Sequence, residues 1–183
     1  MRNMNSTARG HGQMSMDAVQ TQANHSPMVN PALLGDIVLN DESAASLRFM
    51  IQEEKLAGDL YEAFADQTGL RTFDRIAAAE DKHMNTLIDL AEKAGINVDD
   101  LIALPAGEFA DAELQTMYDS LLASGSVSTD AALTVGREVE LADIADLSAA
   151  IEGFAEPALV GVYSKLLSGS EHHLAAFDSW LAA

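Results

Sequence analysis

A glutamate and a histidine three residues apart, Glu80 and His83, stand in the stretch Ile76-Ala77-Ala78-Ala79-Glu80-Asp81-Lys82-His83-Met84. On a helix that spacing sets both side chains on one face, a turn apart. The apolar stripe of the same stretch runs Phe73, Ile76, Glu80, His83, Leu87, Leu90, Ala94, in alternating steps of three and four. The pair therefore interrupts a seam that should face a core. An ionised carboxylate there is costly unless something positive meets it. A carboxylate beside an imidazole suggests a metal ion as that partner. Alone the pair is a weak signal, because Glu-x-x-His arises by chance in many helices.

Three further stretches repeat the interruption. Their stripes are Leu47, Met50, Glu54, Ala57, Tyr61, Phe64; then Leu133, Gly136, Glu140, Asp143, Leu147, Ala150, Phe154; then Leu159, Tyr163, Leu166, Ser170, His173, Phe177, Trp180. In each the apolar seam resumes on both sides of the polar residues. Ordinary surface residues would scatter in phase. Glu53, Glu138, Glu171 and His172 fall off the seams, and Glu53 reads as solvated. Ionised Glu54, Glu80, Glu140 and Asp143 would bring about −4, which two divalent ions offset. With His83 and His173 the donors are oxygen and nitrogen, a set suited to iron or manganese, with zinc acceptable. An ion-pair network without metal would need positive partners, and no Lys or Arg lies on any of the four stripes. Tyr61 and Tyr163 lie on the seams near the polar layer. They are candidates to hydrogen-bond a ligand or carry an oxidising equivalent, although core tyrosines with satisfied hydroxyls are the plainer reading.

These residues need four long helices to bring them together. The first starts near Asn40, a good N-cap, with Asp41 and Glu42 in its positive first turn, and stops at Gly69. The second runs from about Thr72 to Ala94 and stops at Gly95. A long connection, Ile96 to Ser128, holds Pro105, Gly107 and a short amphipathic helix with Leu114, Met117, Tyr118, Leu121 and Leu122. That length suits a crossover to the far end of a bundle. The third helix begins near Ser128 and ends at Gly153; the fourth begins at Pro157, at home in a first turn.

Composition bounds the rest. The chain has 183 residues and 48% hydrophobic content, enough for one compact domain plus a tail. There is no cysteine, which removes disulfides, thiolate metal sites and Cys nucleophiles. The formal charge of −19 argues against nucleic acid and anionic membranes as partners. No apolar run approaches a membrane span, and no signal-type core opens the chain, so a cytoplasmic location is expected, or an exported form whose signal has been removed. Residues 1–39 read as a flexible tail. Its Met1, Met4, Met14, Met16, Met28, His11 and His25 offer soft donors for copper, but a tail without a site is the plainer reading.

With these segments in view, residues 40–183 resemble the ferritin-like superfamily, most of all a branch known only as a ferritin-like domain of unknown function. The resemblance rests on Glu53-Glu54-Lys55-Leu56-Ala57-Gly58-Asp59-Leu60-Tyr61, on the stretch around Glu80 and His83, on Val139-Glu140-Leu141-Ala142-Asp143-Ile144-Ala145-Asp146-Leu147, and on Gly169-Ser170-Glu171-His172-His173-Leu174-Ala175-Ala176-Phe177. Glu54, Ala57 and Tyr61 are also similar to the rubrerythrin pattern. The resemblance implies an antiparallel four-helix bundle with a two-metal centre, commonly iron, that reacts with oxygen or peroxide. Glu80 and Glu140 would bridge or chelate, Glu54 and Asp143 would be terminal ligands, and His83 and His173 would give nitrogen. The chain departs from the superfamily at Ser170, where most members carry a glutamate. A hydroxyl is a poor ligand for iron. Either Asp143 stands in for the missing carboxylate, or the site holds one metal or binds the second weakly. Electrons would come from a separate donor. A homodimer is compatible with such a bundle, and a ferritin cage is not implied. Two rival readings are a metal-binding or storage module without catalysis, and a structural bundle that has lost the chemistry.

Overall fold

The computed structural model describes residues 37–183, so what is expected of residues 1–36, including the Met/His tail, lies outside the described residues. Six helices and no strand occur among the described residues. They are α1 (Asp41–Thr68), α2 (Arg71–Lys93), α3 (Asp99–Ile102), α4 (Ala112–Gly125), α5 (Thr129–Gly153) and α6 (Pro157–Leu181). No helix among them is long and apolar enough to cross a membrane.

The boundaries follow from local chemistry. Asn40 caps α1 by accepting from the Ser43 amide at 2.8 Å, and Gly69 ends it at φ 69°, a left-handed conformation that side chains disfavour. Ser128 caps α5 through the Ala131 amide, and Pro157 opens α6. Asp111 caps α4, the short helix of the long connection. The four-residue α3 is an addition to the sequence reading; its Leu101 plugs one end of the core.

α1 packs along α2 and α5 along α6, with further contacts joining α2 to α6 and α1 to α5. Two apolar clusters form the core. One joins the late part of α1 (Leu56 to Ala65) to the early parts of α2 and α5 and to Phe177 of α6. The other joins the early part of α1 (Leu47 to Ile51) to the late part of α2, to Leu147 of α5 and to Leu159, Tyr163 and Leu166 of α6. These pairings make α1 antiparallel to α2, and α5 antiparallel to α6. In every long helix the seam polar residues fall between the two clusters. Phe73, Phe177 and Tyr61 pack as tilted rings at centroid distances of 5.4 to 6.1 Å and close the first cluster toward the polar layer. Trp180 departs from its seam. It is 45% exposed at the frayed end of α6 and donates to Thr72 Oγ1 at 2.7 Å.

The long connection is fastened by a buried ion pair. Lys55 Nζ meets Asp59 Oδ2, donates to the Pro105 carbonyl at 2.9 Å and lies over the Phe109 ring. Asp59 Oδ2 also accepts from the Gly107 amide at 2.8 Å, where φ is 76°. Gln115 of α4 grips the same loop through the Gly107 carbonyl and the Phe109 amide. Lys55 thus serves the loop and leaves the seam carboxylates without a lysine partner. Asp59→Ala strands a buried ammonium, and a loss of about 3 kcal/mol is expected in urea unfolding. Lys55→Met combined with Asp59→Leu should recover most of it.

Candidate metal centre

Between the two clusters α1 supplies Glu54, α2 supplies Glu80 and His83, α5 supplies Glu140 and Asp143, and α6 supplies Ser170 and His173. Glu54, Glu80 and Glu140 are 2–3% exposed. Glu80 is central. Its Oε2 lies 2.8 Å from Nδ1 of His83, and its Oε1 lies 2.8 Å from Nδ1 of His173. Glu54 Oε2 approaches the His83 nitrogen to 3.4 Å, and Glu140 Oε2 approaches the His173 nitrogen to 3.6 Å. The imidazoles stack with centroids 5.6 Å apart. Two groups result, Glu54–Glu80–His83 and Glu80–Glu140–His173, with one carboxylate common to both. Within each group the donor atoms all lie within 4.8 Å of one another. Donors around one ion at about 2.1 Å stand up to roughly 4 Å apart, so each group needs only a small contraction to hold a metal.

Unpartnered atoms mark the same place. Glu54 Oε1, His83 Nδ1, Asp143 Oδ1 and His173 Nδ1 are buried with no aligned hydrogen-bond partner. The two imidazole nitrogens sit at hydrogen-bond distance from carboxylate oxygens, but not at hydrogen-bond angles. Buried polar atoms left open are costly, and four in one layer fit a cation-binding donor set.

The remaining seam residues act on this set. Tyr61 donates its hydroxyl to Glu140 Oε1 at 2.8 Å. Burial, then the Glu140 and Glu80 charges, pushes its pKa well above the ordinary value, so it stays a donor. Ser170 donates its one hydroxyl proton to Asp143 Oδ2 at 2.5 Å, and its Oγ also lies 3.0 Å from the Leu166 carbonyl oxygen. Asp143 therefore stands beside the two groups rather than within either, with one oxygen held and one open. Tyr163 lies in the second apolar cluster with its hydroxyl on Ser46 Oγ at 3.1 Å; burial raises its pKa to about 12. It meets none of the seam carboxylates by hydrogen bond. Glu171 and His172 face outward, as does Glu138.

Charge in the layer is shared between protons and carboxylates. Burial would lower the His83 pKa, but Glu54 and Glu80 outweigh it and hold the value at about 10. His173 is held at about 9 by Glu140 and Glu80 against the same burial effect. Burial would raise Glu80, yet the two histidines bring it to about 2. Glu54 rises well above the usual range, chiefly by burial. Burial also lifts Glu140 to about 7 and Asp143 to about 6. Without a metal at neutral pH, two imidazolium groups thus supply the positive charge that no lysine or arginine provides.

Residues 43–182 match the family described as an uncharacterized protein domain, DUF2202. The chain belongs to the DUF2202 family. It is similar to the uncharacterized protein MJ0754 of Methanocaldococcus jannaschii, with 34% identity over 140 residues, 76% of this chain and 75% of that protein. It is also similar to the crystal structure of the hypothetical protein MJ0754 from Methanococcus jannaschii DSM 2661, with a TM-score of 0.78 and 33% identity, covering 81% of this chain and 85% of that one.

Two features of this DUF2202 chain escape a seam-by-seam reading. Glu53 is half-buried rather than fully solvated. Its Oε2 is buried without a partner, and burial, then Asp146 and Asp143, lifts its pKa to about 9. The reason is that α1 is covered on its α5 side as well as along its seam, so the position next to the seam is enclosed too. The second is Gly169. A Cβ there would stand 2.5 Å from Cε1 and 2.6 Å from Nε2 of His83. Only a bare α carbon on α6 lets that ring lie flat with Nδ1 turned to the carboxylates. The signal in the sequence was a glycine inside a helix, a choice that costs about 1 kcal/mol against alanine without a packing reason.

In metal-free protein, NMR titration of the imidazole protons should place His83 and His173 far above 6.5, at about 10 and 9. Gly169→Ala should drop the His83 value toward 6.5 by pushing the ring away from Glu54 and Glu80, while His173 keeps a raised value. Equal titration of both rings near 6.5 in the parent protein would contradict the geometry.

Proposed function

We propose that this DUF2202 protein is a ferritin-like metalloprotein, an antiparallel four-helix bundle of α1, α2, α5 and α6 that holds two divalent ions. The observation that carries the reading is the Glu80 carboxylate, with each oxygen 2.8 Å from a different imidazole nitrogen. One carboxylate serving two donor groups is the arrangement of a bridged two-metal centre. Glu54 and His83 would complete one coordination set, Glu140 and His173 the other. Iron suits these nitrogen and oxygen donors best, and manganese or zinc would also be accepted. Asp143, steered by Ser170, is the carboxylate available where the superfamily uses a glutamate on the last helix.

The reaction class we infer is oxidase or peroxidase chemistry on oxygen or peroxide. Bound iron would supply redox capacity and Lewis acidity. The chain's own residues supply orientation and protons. Tyr61 fixes the rotation of Glu140 through the 2.8 Å hydrogen bond. Glu53, protonated at neutral pH, keeps a proton on the α5 side of the layer next to Asp143. The aromatic cluster of Tyr61, Phe73 and Phe177 keeps water from one side.

The histidines give a second reading a concrete form. Two imidazolium groups can close the layer without metal, which favours a structural bundle that has lost its chemistry. Metal analysis after reconstitution separates the two. Close to two iron or manganese ions per chain are expected, with Glu80→Ala removing both and Glu140→Ala weakening one. Metal should also raise the melting temperature, because it binds only the folded state. An empty protein, or an unchanged melting temperature, would leave the structural bundle. Stopped-flow mixing of the ferrous form with oxygen then decides between catalysis and storage. Proton competition gives a sign as well. Metal at either Nδ1 displaces a proton held with a pKa of about 9 to 10, so binding releases protons and the apparent affinity climbs with pH until that range. Calorimetry in buffers of different ionisation enthalpy measures the release.

A further inference from the structure

A cleft of about 120 Å³ opens between α1, α4 and α5 and ends at the polar layer. Leu56, Ala57, Met117, Leu121, Val139 and Ala142 give it apolar walls; Glu54, Glu80, Glu140 and Asp143 form its floor, and Glu53 and Glu138 also line it. Met117 stands at the mouth, 41% exposed. α4 builds one wall and contributes no member of either donor group. It is seated tightly: a Cβ on Gly125 would stand 2.1 Å from the Phe64 ring, and Gln115 ties its first turns to the Lys55–Asp59 lock.

We propose that this cleft binds an uncharged organic molecule of about five heavy atoms, apolar except at the end that faces Glu54, Glu140 and Asp143. Size sets the first limit. A dry cavity of about 150 Å³ takes a benzene ring, so about 120 Å³ suits a slightly smaller molecule. Charge sets the second. No Lys or Arg lines the cleft, Glu138 guards its mouth, and the chain carries −19, so an anion is repelled. A hydrated cation would lose much of its water against the six apolar residues of the walls, a loss that Glu53 and Glu138 offset only in part. The carboxyl groups of Glu54, Glu140 and Asp143 at the floor supply one polar contact; the unpartnered Glu54 Oε1 and Asp143 Oδ1 lie buried behind that surface. The long connection thus gains a role: it carries α4 to a side of the layer where a ligand of this class enters. The proposal rests on the metal reading for what lies at the floor, not for the walls.

The test is a titration of zinc-loaded, full-length protein with 1-butanol, followed by methyl NMR, with glycerol as the polar counterpart. Saturable shifts are expected at the Met117, Leu121, Val139 and Leu56 methyls, with no such response to glycerol. Leu121→Trp and the more exposed Met117→Trp should each weaken 1-butanol at least tenfold. Zinc content, counted on the same samples, should match the parent. Shifts that never saturate, an equal response to glycerol, or unchanged affinity in both tryptophan variants would overturn the proposal; the glycerol outcome would mark a hydrated route for cations instead. Two zinc ions without 1-butanol binding would sink the cleft proposal alone. Saturable 1-butanol binding without zinc would sink the metal reading and leave the cleft standing.

Discussion

Carboxyl groups removed from water must either take up a proton or meet a positive charge. Three glutamates in the middle of this core, with Asp143 beside them, impose that condition on the whole molecule. The two apolar clusters are separate because the polar layer divides them. The histidines lie against the glutamates, and among the described residues no lysine or arginine pairs with them. Even Lys55, buried one residue from Glu54, is consumed by Asp59 and the Pro105 carbonyl. Among the described residues, positive charge reaches the layer as protons on His83 and His173, and the ions of the proposed centre would compete for the same nitrogen atoms.

The supporting residues acquire their meaning from that competition. Tyr61 and Ser170 occupy seam positions, yet each spends its hydroxyl on a carboxylate: Tyr61 on Glu140, Ser170 on Asp143. They fix which oxygens are engaged and which stay open. Gly169 acts by absence, leaving room for the His83 ring. Such groups govern donor direction rather than donor number, and a donor set that is pre-aimed needs less rearrangement to take up an ion.

Much of this was legible before any coordinates. The steps of three and four identified four long helices, the caps Asn40 and Ser128 and the first-turn Pro157 located the starts of three of them, and the interrupted seams named Glu54, Glu80, His83, Glu140, Asp143, Ser170 and His173 as members of one layer. Periodicity works here because a helix has one face toward a core, and residues in one phase must share it. It fails where a helix is covered on more than one side. Glu53 and Lys55 flank the Glu54 seam and looked solvated or merely adjacent, but α5 and the long connection enclose them. It fails also at a helix end, where Trp180 keeps the phase of the seam without a neighbour to bury it.

The sequence by itself determined the all-helical class, the phase of each seam and the residue types that meet at its middle, because these depend on spacing along a single helix. Tertiary structure decided what each group faces. It turned the two oxygens of Glu80 to different histidines, placed Asp143 under Ser170 and outside both donor groups, sent Tyr163 to Ser46, and opened the cleft beneath α4. Those outcomes depend on the offset and rotation of one helix against another, which are set by the packing of all the helices together, and no single stretch of the chain records them.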